Sequence, residues 1–361
     1  MAVSAETEAP LSRVLVLYTG GTIGMRKNAQ GVMEPVNGYL AEKVAAMPQL
    51  HDPTQPLYTT FPSRSGRRIR YDIEAYEVLL DSANLDLSHW ARFATDIEAH
   101  YDDYDAFVIV HGTDTMAYTA SALSFMLEGL DKPVILTGAQ LPLEQLRNDA
   151  LDNLLGALGI AGHYAIPEVG LYFHHKLLRG NRSRKVDTAH LDAFASPNLP
   201  PLVDVGIDVR VNWDLVRPPG EGGLRVKAML DPHVAALRLY PGMTRRVLEN
   251  FLAPPLRGLV LETFGSGNAP DRDDNLIGAL RDASSAGVVI VNVTQCHTGR
   301  VHPRYAAGRA LADAGVVPGS DMTPEAALTK LTWLLGQGLG PDEVRELATI
   351  DLRGELTEDD G

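Results

Sequence analysis

The feature that most constrains the fold is a series of short, continuous apolar runs that end in small polar residues. Residues 14–18, 106–110 and 132–136 are such runs, and they lead into Thr-Gly-Gly-Thr, His-Gly-Thr-Asp and Thr-Gly-Ala-Gln. Helix-like segments separate the runs. Continuous apolar strands alternating with amphipathic helices are typical of a parallel sheet covered on both faces. The sequence therefore predicts an α/β protein with a mostly parallel sheet.

The domain boundary is predicted at residues 216–223, where two prolines and three glycines break any regular element. The strand pattern restarts beyond this segment, at residues 256–262 and 287–293. A length of 361 residues also suggests about two domains. We therefore expect an N-terminal domain over residues 1–215, a linker over 216–223, and a smaller α/β domain over 224–361.

Composition excludes several classes of protein. The chain has 32 Lys and Arg against 46 Asp and Glu, a net charge of −14, which disfavours nucleic-acid and anionic-membrane partners. Its single cysteine cannot form an intrachain disulfide, and no Cys/His cluster has zinc-ligand spacing. The apolar runs are shorter than the ~20 residues of a membrane span. The first ten residues contain no basic residue and resemble no targeting peptide, so a cytoplasmic protein is expected.

The polar residues at the strand ends indicate a shared ligand site. Ligands of open parallel sheets bind at the carboxyl ends of the strands, where glycine allows a close approach to backbone N–H groups. Any one of the three turns is typical of an ordinary strand-to-helix connection with a helix N-cap. Three in one domain favour a common site.

Two of these turns carry groups suited to nucleophilic chemistry. The segment 19–24 lacks the Gly-Lys-Ser/Thr ending of a phosphate loop and the spacing of a dinucleotide fingerprint. A hydroxyl on a sharp turn can instead act as a nucleophile beside N–H groups that hold an oxyanion. Thr113 and Asp114 supply a second hydroxyl and a carboxylate, and Lys185 lies in the basic run 179–185. Such a run is more commonly a solvated loop.

Three motifs together resemble the L-asparaginases, in particular the type I cytoplasmic branch. They are Thr-Gly-Gly-Thr-Ile-Gly at 19–24, His-Gly-Thr-Asp-Thr-Met at 111–116 and Arg-Gly-Asn-Arg-x-x-Lys at 179–185. The resemblance continues through the segments 194–199, 264–268, 292–296 and 351–355, so it covers nearly the whole chain in order.

The resemblance implies a two-step mechanism. Thr22 corresponds to the family's nucleophile, which forms an acyl-enzyme with the side-chain amide carbon. Thr113, Asp114 and Lys185 correspond to a second group that activates hydroxyl or water. The turn amides near Gly21 and Thr113 would form the oxyanion hole.

The resemblance also implies a set of substrate contacts. Asp81 and Ser82 match the segment that holds the α-carboxylate and α-amino groups, although by themselves they are typical of a helix N-cap. Asp114 would bind the α-ammonium group. Asn268 corresponds to a polar residue at the subunit contact, close to the site.

The chain departs from the family at two places. Many members relay a proton through a loop tyrosine about ten residues after the first threonine, where this chain has Val32. We therefore assign the relay to Tyr305, with Tyr39 as the alternative. An effector site in the type I branch would involve Thr294 and Cys296, but Arg184 replaces a threonine common in that branch. A lone cysteine is by default a buried, small apolar residue.

The sequence as a whole predicts hydrolysis of L-asparagine to L-aspartate and ammonia, without metal or cofactor, by a homodimer or homotetramer. Two alternatives stay open. One is the ammonia-supplying subunit of a tRNA-dependent amidotransferase, which the charge of −14 disfavours because that substrate is RNA. The other is a non-catalytic sensor that binds an amino acid with the same glycine turns.

Overall fold

The computed structural model describes residues 11–55, 58–60, 63, 66–270, 274–302 and 306–358. Its strands are β1 (Leu11–Gly20), β2 (Met25–Lys27), β3 (Met33–Pro35), β4 (Tyr58–Thr59), β5 (Arg68–Leu80), β6 (Ala106–Val110), β7 (Leu127–Glu128), β8 (Val134–Thr137), β9 (Val169–Phe173), β10 (Lys176–Arg179), β11 (Arg184–Lys185), β12 (Phe194–Ala195), β13 (Val203–Val205), β14 (Val209–Val211), β15 (Arg225–Val226), β16 (Val234–Arg238), β17 (Gly258–Thr263), β18 (Val289–Thr294) and β19 (Val317–Pro318). Its helices are α1 (Tyr39–Ala46), α2 (Leu87–Ala99), α3 (Met116–Met126), α4 (Ala150–His163), α5 (Arg245–Leu252), α6 (Asp274–Ser285), α7 (Ala306–Asp313), α8 (Pro324–Gly336) and α9 (Pro341–Thr349), with short 3-10 helices at Thr22–Gly24, Ser82–Asn84 and Gly180–Arg182.

A large sheet dominates the N-terminal part, with the order β14-β13-β10-β9-β8-β6-β1-β5-β4. Its centre is parallel, since β1 pairs with β5 and β6, β6 with β8, and β8 with β9 in the same direction. The strands at both edges are antiparallel. The expectation of a mostly parallel sheet is therefore confirmed.

The central strands are buried on both faces, which explains their continuous apolar sequences. Val16 and Val108 belong to the core on the α4 side, whereas Leu17 and Ile109 belong to the core that includes residues of α2 and α3. Because side chains alternate along a strand, each strand contributes to both cores.

A second, smaller sheet with the order β16-β17-β18-β19 is parallel throughout. One face packs on α8 and α9, and α8 also packs on α3. The expectation of a smaller α/β unit in the C-terminal part is confirmed. The shared core of α3 and α8 ties the two sheets together through apolar contacts.

One helix is shorter than the sequence suggests. The apolar pattern predicts a helix from the His-Gly-Thr-Asp turn through Leu130, but α3 ends at Met126. Leu127 leaves the helical conformation, and residues 127–128 pair with β15 as a short strand. A tertiary strand pairing thus overrides the local helical pattern.

Candidate active site

Two of the threonine-bearing turns meet backbone to backbone at the carboxyl end of the large sheet. β1 and β6 are neighbours, so the turns that follow them are adjacent. Gly21 has a φ of 81°, and a Cβ added there would lie 2.5 Å from the Gly112 nitrogen. Only glycine fits such an approach. The two glycines therefore bring Thr22 and Thr113 to the same site.

The second turn is joined to a lysine from a distant part of the chain. Lys185 Nζ donates hydrogen bonds to Thr113 Oγ1 at 2.8 Å and to Asp114 Oδ1 at 2.5 Å. The lysine side chain is 16% exposed, whereas that of Asp114 is 61% exposed. An ammonium, a hydroxyl and a carboxylate thus form one connected group that opens to solvent at its acidic end.

The basic run that carries Lys185 is not a solvated loop. Arg182 is 3% exposed and forms a two-pronged pair with Asp321, at 2.9 and 3.1 Å. Burial acts to raise the pKa of Asp321, but the hydrogen bonds and charge of Arg182, together with two hydrogen bonds from Thr357, outweigh it and lower that pKa. The default interpretation of this run as a solvated loop is wrong, because acidic partners from distant segments neutralise its arginines.

Two further pairs hold the same run. Arg179 pairs with buried Glu168, and Arg184 pairs with Glu325 at the first turn of α8. Burial raises the pKa of Glu325 despite the nearby arginine. Each of these arginines therefore fixes the backbone that presents Lys185.

Asp81 and Ser82 lie beside the second turn, at the end of β5. The Asp81 carboxylate accepts a hydrogen bond from the Ala83 N–H at 3.0 Å, so it caps the short helix Ser82–Asn84. Ser82 is buried, and its carbonyl accepts a bond from the Thr115 hydroxyl at 2.8 Å. The two residues thus form an N-cap pair and also border the site.

A cavity of about 270 Å³ lies between these elements. Seven of its lining residues are ones that the sequence singled out: Gly21, Thr22, Asp81, Ser82, Thr113, Asp114 and Lys185. Sequence reasoning gave no role to four others: Met25, Gly112, Gln140 and Thr188.

Gln140 has the clearest contact among the residues that were missed. It follows β8 as the polar end of the third turn, which was the signal that could have identified it. The Thr113 hydroxyl donates to Gln140 Oε1 at 3.3 Å. The Gln140 amide in turn donates to the carbonyls of Asp187 and His190, at 3.5 and 3.4 Å. Gln140 therefore links the second turn to the segment that follows Lys185.

Three predicted residues of the C-terminal part do not line this cavity. Asn268 closes a tight turn against the backbone of Phe264, and the Thr294 hydroxyl donates to the Gly265 carbonyl at 2.5 Å. Cys296 is exposed, so the expectation that it is buried is wrong. It lies beyond the last residue of β18, where the chain leaves the core.

Of the two tyrosine candidates for the proton relay, Tyr39 lies among the described residues. Tyr39 is 3% exposed, and the guanidinium of Arg26 lies 5.0 Å from its ring centre. It does not line the cavity. Tyr305 lies outside the described residues.

The described residues contain neither a candidate membrane span nor a candidate metal site. No helix there is long and apolar enough to cross a membrane. In the same part of the chain, no group of three or more His, Cys, Asp or Glu residues is placed to hold a metal ion.

Two family models together match most of the chain. The asparaginase N-terminal family model matches residues 13–217, and the glutaminase/asparaginase C-terminal domain model matches residues 233–347. The chain belongs to the asparaginase family. Its catalytic class is therefore that of the amide hydrolases.

Individual relatives of this asparaginase-family chain agree over almost its whole length. L-asparaginase 1 of Escherichia coli K12 is 49% identical, over 96% of this chain and 98% of that protein. The 60 kDa lysophospholipase of Mus musculus is 48% identical, over 98% of this chain but only 64% of that protein. The crystal structure of L-asparaginase I from Vibrio cholerae superposes with a TM-score of 0.85 at 45% identity, covering 96% of this chain and 99% of that one.

Proposed function

We propose that this chain hydrolyses L-asparagine to L-aspartate and ammonia. The observation that carries the proposal is the lysine-centred group, in which Lys185 bonds to both Thr113 and Asp114 in a cavity shared with Thr22. The names of the E. coli and V. cholerae relatives support asparagine as the substrate.

The first step is acylation of Thr22. Its hydroxyl oxygen attacks the side-chain amide carbon, the C–N bond breaks, and the hydroxyl proton leaves with ammonia. The Gly21 N–H already donates to the Leu80 carbonyl at 3.1 Å. We therefore assign the oxyanion to the neighbouring N–H of Thr22 together with that of Thr113. Tyr305 is the proposed proton relay, and Tyr39 is the alternative.

The second step is hydrolysis of the ester. Water activated through Thr113, Asp114 and Lys185 attacks the carbonyl carbon, aspartate leaves, and Thr22 regains its proton. The hydrogen bonds of Lys185 support this role, because they hold the lysine against both partners in a fixed geometry.

Charge and position support the substrate contacts. The exposed carboxylate of Asp114 is suited to the α-ammonium group, and Asp81 with Ser82 borders the region proposed for the α-amino and α-carboxylate groups. Discrimination against glutamine rests on one methylene, which is worth only about 1–3 kcal/mol.

The proposal extends to assembly and regulation. We infer a homodimer or homotetramer in the cytoplasm, with Asn268 at the subunit contact near the site. Thr294 and Cys296 are the proposed effector residues, and the exposure of Cys296 makes its thiol accessible to a ligand. We place the domain boundary at residues 216–223.

Initial rates of ammonia release against asparagine concentration test the proposal. We expect saturable release from asparagine and much slower release from glutamine, with a sigmoidal curve if an effector site exists. Lysophosphatidylcholine serves as a comparison substrate because of the name of the mouse relative. Calorimetric binding of asparagine without ammonia would instead favour a sensor, and fatty-acid release as the main activity would contradict the proposal.

A further inference from the structure

A buried histidine lies directly beneath the second threonine turn. His111 is 0% exposed and is the first residue after β6. Its Nδ1 lies 2.6 Å from the carbonyl oxygen of Gly112, and its Nε2 lies 3.0 Å from Thr119 Oγ1. The proposed mechanism gives this side chain no task, although two hydrogen bonds fix it in place.

The hydrogen-bonding groups around the ring determine which ring nitrogen carries the proton. The indole N–H of Trp90 can only donate, and it donates to Thr119 Oγ1 at 3.0 Å. The Gly112 carbonyl oxygen can only accept, so His111 Nδ1, 2.6 Å away, carries the ring proton and donates it. Nε2 of the neutral ring is then an acceptor, and the Thr119 hydroxyl donates its proton to it.

The ring is also held in its neutral form. Burial lowers the pKa of His111 to about 4, although the bond to the Gly112 carbonyl acts in the opposite direction. At neutral pH the histidine is therefore one uncharged tautomer with one donor and one acceptor, and both are used.

This bond fixes a peptide plane that belongs to the site. The carbonyl of a trans peptide points opposite to the N–H of the next residue. Because the Gly112 carbonyl is turned toward His111 in the core, the Thr113 N–H points away from it. Gly112 and Thr113 both line the cavity. Within the described residues, the Thr113 N–H donates to no protein acceptor.

We propose that His111 is a positioning residue for catalysis, whose Nδ1–H holds the Gly112–Thr113 peptide so that the Thr113 N–H faces the developing oxyanion. This inference rests on the proposed function. Trp90 and Thr119 do not touch this peptide; they support the same tautomer, because Trp90 donates to the Thr119 hydroxyl and that hydroxyl donates to Nε2.

Two substitutions of the histidine separate its two bonds. In His111→Asn, the amide N–H₂ can occupy the position of Nδ1 and keep the bond to the Gly112 carbonyl. In His111→Gln, the longer amide reaches the position of Nε2 and loses that bond. Removing one oxyanion donor costs about 10²–10³-fold in kcat. We expect His111→Gln to lower kcat at least about tenfold with KM little changed, and His111→Asn to stay within about threefold of the wild type.

The same measurements can overturn the proposal. Equal losses of kcat in both variants, or losses that follow the melting temperature of each variant, would reduce His111 to a structural core residue. A loss confined to KM would also contradict a role in the transition state. Thr119→Val is the matched control: it leaves the ring in place, and we expect a smaller loss of kcat than for His111→Gln.

A spectroscopic measurement on the unmodified protein keeps the test independent of activity. Nitrogen-15 NMR of the histidine side chains, assigned with His111→Asn, should show His111 protonated at Nδ1 alone. A proton on Nε2 would overturn this proposal even in an enzyme that hydrolyses asparagine. Absence of asparaginase activity would instead overturn the proposed function and, with it, the catalytic role of His111, while the Nδ1 signal would still verify the hydrogen-bond assignment.

Discussion

The two threonine turns of the site are built from similar sequences but are held in different ways. The Thr22 hydroxyl makes no hydrogen bond to the described part of the chain. The Thr113 hydroxyl is bound on two sides, by Lys185 and by Gln140. A nucleophile must lose its proton and change bonding during the reaction, whereas the group that activates it gains from being fixed in advance. The difference supports separate roles for the two threonines.

The elements that follow the two turns also differ, in how far they are exposed to solvent. The Thr22 turn runs into the β2–β3 hairpin, where Arg26 and Val32 are exposed. The Thr113 turn runs into α3, where ten of the eleven residues are buried, all except Tyr118. The first turn therefore borders a surface element, and the second is anchored in the core that joins the two sheets.

The largest effect is expected at the free hydroxyl. Thr22→Ala should lower kcat for asparagine at least about 10³-fold, or ~4 kcal/mol of activation free energy, because no other group replaces the nucleophile. The melting temperature should hardly change, since the hydroxyl bonds to no group among the described residues. Thr22→Ser should retain activity, and Thr95→Ala on the exposed face of α2 is the matched control. Near-normal ammonia release by Thr22→Ala would remove Thr22 from the mechanism.

The second largest loss of kcat is expected at Lys185, which forms hydrogen bonds to Thr113 and Asp114. Lys185→Met should lower kcat about 10²–10³-fold, because proton transfer through Thr113 and Asp114 loses its ammonium partner. Lys176→Met removes the exposed pair with Asp192 and should leave kcat unchanged. Steady-state kinetics of the two variants provide the comparison. If both behave alike, the contacts of Lys185 are structural only.

The sequence alone identifies both threonine turns, because a glycine-rich turn after an apolar run is a local signal. The position of Lys185 depends on distant partners instead. Arg182 is 139 residues from Asp321, so nothing near the basic run reveals that its charges are neutralised and buried. The contact of Gln140 with Thr113 likewise depends on the pairing of β6 with β8, which no local pattern reveals. The exposure of Cys296 depends on where β18 ends, which sequence patterns locate poorly.

A smaller effect should distinguish the two tyrosines. Tyr305→Phe should lower kcat about tenfold to a hundredfold if its hydroxyl relays the proton of Thr22. Tyr39→Phe should have little effect, since Tyr39 is buried and does not line the cavity. Parallel assays of the two variants measure the difference. A larger loss of kcat in Tyr39→Phe than in Tyr305→Phe would assign the proton relay to Tyr39, at the start of α1.

The smallest effect is on stability and concerns the second turn alone. The pKa of His111 is about 4 in the folded chain, below its ordinary value of 6.5. The unfolded state therefore binds the extra proton first as pH falls, so stability is full above pH 6.5 and declines toward pH 4. Between pH 7 and 5.5, His111 should account for about 1 kcal/mol of that loss. Urea unfolding of wild type and His111→Asn should differ by this amount; an equal decline in both would contradict the prediction.

The division of labour between the two turns is tested most directly by the intact mass of Thr113→Ala mixed with asparagine. The free first turn should still react, so the variant should release one equivalent of ammonia and gain the mass of one aspartyl group on Thr22. The disabled second turn should then leave this ester unhydrolysed. An adduct on another residue would contradict the account, as would repeated turnover at the wild-type rate.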